Sequence, residues 1–248
     1  MKTRRFIALP TVLFAALLAS FPAAAALADD HVVQETTRTY MGRTTPPRTS
    51  EVWMGKDKVC IKEGAVIIIL RHDLNKRWTV IVPRKKYLEE DLSVPVAQKP
   101  QEEKPLRIQE YGFNYEPSYI WTIKKATETE TLDGRKCLKI VAQGDAEYRE
   151  EIREMWVTED IPIDIVRYYD VVTKPNLDAQ WLKIYEETPE LKNGFVVKTI
   201  STSEPPIAPT IVMVTKLVNV ETAAPPPGIY EVPEGMQKVK TREELYAR

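Results

Sequence analysis

The sequence is poor in the residue types from which most catalytic and cofactor sites are assembled. It holds two cysteines, two histidines and nine glycines in 248 residues. The glycines never fall into a phosphate-cradling loop or a dinucleotide fingerprint, and no Gly-x-Ser-x-Gly elbow occurs. His31, His72, Cys60 and Cys137 are widely separated and make no metal-ligand pattern, so neither a metal nor a cofactor is expected. His72 and Asp73 are adjacent, as an acid-base pair would be, but they fall in a hairpin turn, where polar residues are the ordinary choice. Carboxylates are plentiful, yet Glu89-Glu90, Glu102-Glu103 and Glu150-Glu151 read as solvated faces, and nothing singles out two of them as a glycosidase pair. No catalytic residue is assigned, and an enzyme is not the expectation.

An excess of one charge is also missing. Lys plus Arg number 35 and Asp plus Glu 36, well interspersed. Phosphate backbones need a concentrated basic surface, so nucleic acid is not an expected partner. Long apolar runs are absent after the first, Phe6 to Phe21, which is broken by Pro10 and preceded by Lys2, Arg4 and Arg5. With Ala26-Leu27-Ala28 behind it, this is the pattern of a secretory signal peptide over residues 1–28, cleaved after about Ala28. The residues after Arg4-Arg5 fit the twin-arginine pattern poorly, so export of an unfolded chain is expected. No cysteine near the cleavage site can take a lipid anchor. Removing three basic residues shifts the formal charge from −1 to −4 and leaves a periplasmic chain of 220 residues, enough for one domain over 29–248 with no transmembrane segment.

Both cysteines remain after cleavage and would face an oxidising compartment. Each sits in an apparent strand, Asp57 to Ile61 for Cys60 and Arg135 to Lys139 for Cys137. A disulfide requires those strands to be neighbours or to face one another; the other reading is two half-buried thiols acting as small hydrophobes.

What the chain does have is β pattern. Strands are expected at His31 to Tyr40, Glu51 to Met54, Lys56 to Lys62, Ala65 to Arg71 and Arg77 to Val82, with Val66 to Leu70 and Trp78 to Val82 forming the strongest hairpin. Arg84 to Leu92 reads as a short helix, and Val94 to Pro105, with three prolines, as an exposed loop. Further strands are expected at Ser118 to Glu130, Arg135 to Ala142, Tyr148 to Thr158, Ile163 to Val172, Phe195 to Thr202, Thr210 to Glu221 and Ile229 to Val232. Asp133-Gly134 marks a tight hairpin. Leu177 to Glu187 is a helix with Asn176 as its cap and Leu177, Trp181, Leu182 and Tyr185 on one apolar face. The fold class is mainly β (α+β), a strongly curved antiparallel sheet with one or two helices on its concave side.

Such a sheet under a helix can leave a cavity for acyl chains or another hydrophobic ligand. The five tryptophans and the isoleucine-rich hairpin supply apolar surface. Ile68, Leu70, Trp78, Trp121 and Trp156 are the candidate lining, though core packing is the commoner fate of any one of them.

Three stretches carry a family resemblance. The first is Val52-Trp53-Met54-Gly55-Lys56-Asp57-Lys58-Val59, leading into Ile67 to Asp73 and on to Lys86-Tyr87-Leu88-Glu89. The second is Leu132-Asp133-Gly134-Arg135-Lys136-Cys137 followed by Met155 to Pro162. The third is Gly194-Phe195-Val196-Val197 with the terminal Tyr230 to Gly235. Together they resemble a group of exported bacterial proteins in the superfamily of periplasmic lipoprotein carriers and outer-membrane lipoprotein-sorting proteins. The resemblance implies a half-barrel: an unclosed, bent antiparallel sheet holding an apolar cavity under helices. It further implies a carrier of a lipid or lipoprotein acyl chain, without catalysis, taking part in outer-membrane biogenesis, with an envelope sensor or scaffold working by protein contacts as the alternative. Two departures stand out, Cys60 where relatives commonly have arginine, and the proline-rich insert, which has no obvious counterpart.

Overall fold

The computed structural model describes residues 28–93, 120–146, 149–205 and 207–247. Residues 1–27 of the expected 1–28 signal and the proline-rich stretch lie outside them. The first half is a run of short strands: β1 (Asp29–Tyr40), β2 (Arg43–Thr44), β3 (Arg48–Met54), β4 (Lys58–Glu63), β5 (Val66–Arg71), β6 (Lys76–Ile81) and β7 (Lys86–Asp91). The second half has longer ones: β8 (Ile120–Leu132), β9 (Arg135–Ala146), β10 (Arg149–Thr158), β11 (Phe195–Glu204) and β12 (Ile211–Ala223), with a short β13 (Gln237–Val239). All thirteen belong to one sheet, ordered β13-β7-β6-β5-β4-β3-β1-β12-β11-β10-β9-β8, with β2 on β1. It is curved and open, not closed into a barrel.

The seam is β1. It pairs β3 on one side and, over its whole length from Asp29↔Ala223 to Tyr40↔Ile211, β12 on the other, so two meanders become one sheet. Register shifts at Val33/Gln34 and Trp156/Val157 add local twist, which helps the sheet bend. At the β8–β9 hairpin Asp133 and Gly134 both have positive φ, 49° and 79°, the geometry that the Asp-Gly pair is suited to.

Helices fill the β10–β11 connection: α1 (Ile165–Tyr168), a wider π turn at Tyr169–Thr173, α2 (Ala179–Glu187) and α3 (Pro189–Asn193). Trp181, Ile184, Tyr185 and Leu191 press onto Ile140, Ala142, Met155 and Val157 of the sheet. Tyr168 and Val172 join Phe195 with Val32, Val52, Met54 and Val59 in a second cluster. Strand alternation sends Trp53, Cys60 and Ile69 to the opposite face, where Ile229 and Tyr230 cover them.

Three expectations are corrected. Arg84 to Leu92 is not a helix: Lys86 to Asp91 is strand β7, paired with β6 from Ile81↔Lys86 to Lys76↔Asp91. Cross-strand partners decide the matter, since Trp78 donates to Glu89 at 2.9 Å and Arg242 reaches Glu90 at 2.8 Å. Ile163 to Val172 is not a strand. Asp164 caps α1 by accepting from the Arg167 amide at 3.0 Å, and the β-branched run then packs one helical face. Ile229 and Tyr230 form a turn, and the tail adds β13, parallel to β7, and α4 (Arg242–Tyr246), whose Leu245 is fully buried. Of the two readings of the cysteines, the buried thiols hold: both are free and buried. The two belong to different packing clusters, and five strands, β3, β1, β12, β11 and β10, stand between β4 and β9 in the sheet. The long helix buries Trp181 and Tyr185 as expected, with Ile184 in place of Leu182, and begins later, with Asp178 accepting from the Trp181 amide at 2.8 Å.

Candidate functional site

A groove of about 1040 Å³ runs between the sheet and the helical connection. That is at the upper end of the range for small-molecule sites. Its floor comes from consecutive strands in register. Arg48, Thr36, Thr215 and Thr199 form one row across β3, β1, β12 and β11; Arg38, Met213, Ser201 and Arg153 form the next across β1, β12, β11 and β10. Period-2 alternation puts these hydroxyls and guanidiniums on one face, and Thr36 and Thr215 join their hydroxyls at 2.9 Å.

The wall is different in character. Ile165, Val172, Leu177 and Leu191 come from the helical connection, and Phe195 and Val196 from the start of β11. Three tyrosines stand among them. Burial holds the Tyr168 phenol well above its ordinary value and pushes Tyr185 up to about 12, so both stay neutral. Burial also raises Tyr169, whose hydroxyl has no hydrogen-bond partner among the described residues although the residue lines the groove. Gly194 makes the close approach of wall to floor: a Cβ there would lie 2.3 Å from Val157 Cγ1 and 2.5 Å from the Glu190 carbonyl.

Charge is placed unevenly. Arg153 donates to Glu151 at 2.7 Å and stacks over Trp181 at 4.1 Å. Arg38 and Arg48 are exposed and make no ion pair among the described residues. Glu63 also lines the groove and pairs with neither.

The five candidate lining residues are elsewhere. Trp156 is buried between Lys139 and Lys198, 4.9 and 4.5 Å from its ring, and donates to Glu130 at 2.8 Å. Trp121 packs edge-on against Trp181 at 4.8 Å, and Trp78 joins the cluster of Trp53 and Cys60. Leu70 packs on the cluster with Val59, and Ile68 is half-buried on β5. None of the five touches the groove. The His72-Asp73 turn is occupied too, because Asp73 takes two hydrogen bonds from Arg71, each of 2.7 Å. His31 lies within β1, stacked on Trp53 at 3.9 Å between Glu51 and Glu221.

No protein family and no curated protein matches the chain. Solved structures do match weakly. PNGF-II aligns with TM-score 0.38 and 11% identity over 88% of this chain and 32% of its own, and in a second crystal form with 0.37, 12%, 86% and 32%. A LolA superfamily protein, NE2245 from Nitrosomonas europaea, aligns with TM-score 0.28 and 9% identity over 86% of this chain and 92% of its own. The chain therefore spans about a third of the length of PNGF-II. At these scores the likeness carries no functional argument. Among the described residues, no helix is long and apolar enough to cross a membrane.

Proposed function

We propose that the protein is a periplasmic binding or carrier protein for an amphipathic, largely apolar ligand such as a lipid or a lipoprotein acyl chain, acting without covalent chemistry. The observation that carries this reading is the groove: an apolar wall of Ile165, Val172, Leu177, Leu191 and Phe195 beside a hydroxyl-lined floor. Burying chain methylenes against that wall would supply about 0.8 kcal/mol each, before the cost of association. Release would follow when a partner offers a competing apolar site.

Binding of the neutral dye N-phenyl-1-naphthylamine tests the reading, with Thr199→Trp as a groove-filling variant. Saturable fluorescence enhancement in the wild type, lost in the variant while its circular dichroism is unchanged, supports it. No saturable binding, or binding indifferent to the tryptophan, overturns it.

A further inference from the structure

The groove is graded along the strands. Phe195, at its helical end, opens β11, whereas Arg38 lies in the Ser201 row, six residues further on and roughly 20 Å away along the strand. Arg48 stands opposite Thr36 on the neighbouring strand, which makes Arg38 its diagonal neighbour on the same face, about 7 to 8 Å away. Two guanidiniums so placed repel each other; the one carboxylate within diagonal reach, Glu63 opposite Ser50, lies beside Arg48 on the same face but makes no ion pair with it, so the pair keeps a net positive charge. The contrast with Arg153 is informative, because that side chain is already committed to Glu151 and to the Trp181 ring. Among the described residues the Arg38 side chain has only a distant ring contact, 5.9 Å from Tyr40. Around the pair, Thr36, Thr215 and Ser201 add hydroxyl donors without adding negative charge.

We propose that Arg38 and Arg48 form an anion-binding subsite at the polar end of the groove, so that the preferred ligand is an anionic single-chain amphiphile with its head on the two guanidiniums and its chain against the Phe195 end. The proposal rests on the groove being the ligand site. A planar guanidinium fork holds carboxylate or phosphate bidentately, and two forks at this spacing can share one head group. Carboxylate and phosphate heads have this chemistry in common.

Calorimetric titration of the full-length folded protein with laurate, lauryl phosphate and neutral lauryl maltoside, each below its micelle concentration, tests it. Both anions are expected to bind about tenfold or more tighter than the maltoside, with the preference falling in high salt. Arg38→Gln with Arg48→Gln, both at exposed positions, removes the preference of the anions over the maltoside; Arg48→Glu reverses its sign. A preference for only one anion assigns the head as carboxylate or phosphate and supports the subsite. Equal affinity for all three, or a preference untouched by the arginine variants, overturns the subsite and leaves the groove reading standing. No binding of any of the three overturns both.

Discussion

Gly194 offers a demanding test of how the helical wall meets the sheet. It ends α3 and leads into β11 with an extended backbone, φ −109° and ψ 164°, that any residue adopts, so the cost of a side chain there is purely steric. A Cβ would meet Val157 Cγ1 at 2.3 Å and the Glu190 carbonyl at 2.5 Å. The first neighbour can shift, but the second is backbone in the last turn of α3. Overpacking of this kind costs about 1 to 3 kcal/mol, and the immobile carbonyl puts Gly194→Ala at the upper end. With a urea m-value of about 3 kcal/mol/M for a protein of this size, the unfolding midpoint falls by about 1 M. Val157→Ala should cost about 2 kcal/mol by itself and, combined with Gly194→Ala, should recover about 1 kcal/mol of the summed loss. Urea unfolding followed by tryptophan fluorescence measures all three variants. A wild-type midpoint for Gly194→Ala, or strict additivity with Val157→Ala, refutes the described packing of α3 on β10 and β11.

The two buried thiols should resist Ellman's reagent in the native protein and both react in urea without reductant; neither reacting would mean a bond between them. Alkali should destabilise the fold. Unfolded tyrosines ionise near pH 10, whereas Tyr185 is held to about 12 and Tyr168 and Tyr230 are also raised, so the native state keeps protons that the unfolded state loses. Stability is then intact below pH 10 and falls as pH rises toward the native values, by up to about 4 kcal/mol per pH unit for three groups. A urea midpoint constant from pH 9 to 11 would contradict their burial. Removing the unpartnered hydroxyl with Tyr169→Phe should raise the ligand-free stability by about 1 kcal/mol, and a loss in the same urea assay would show that the hydroxyl is already satisfied.

Much of the sheet was legible because β signals are local. The Val66 to Leu70 hairpin and the Asp133-Gly134 turn need only alternation and turn chemistry, and both stand where the sequence puts them. The misread segments depend on distant partners. Tyr87, Leu88 and Leu92 fit a helical face, and only the pairing of β7 with β6 and with β13, contributed from the far end of the chain, makes Lys86 to Asp91 a strand. The site was less legible for a related reason. Tryptophans drew attention as large apolar groups, yet Trp156 and Trp78 each spend their indole N–H on a glutamate and pack away from the groove. The floor is written in Thr36, Thr199, Ser201 and Thr215, alternate hydroxyls that resemble an ordinary wet strand face. The neighbouring strands and the helical connection turn that face into a groove floor, and their alignment depends on the β1–β12 seam.

The ligand groove is tested most directly on protein purified without detergent from its own cells, extracted into organic solvent and analysed by mass spectrometry beside the Thr199→Trp variant. A near-stoichiometric amphiphile with an anionic head in the wild type, absent from the variant, is the predicted result. No ligand in the wild type, or the same ligand in equal amount in both, would contradict the account.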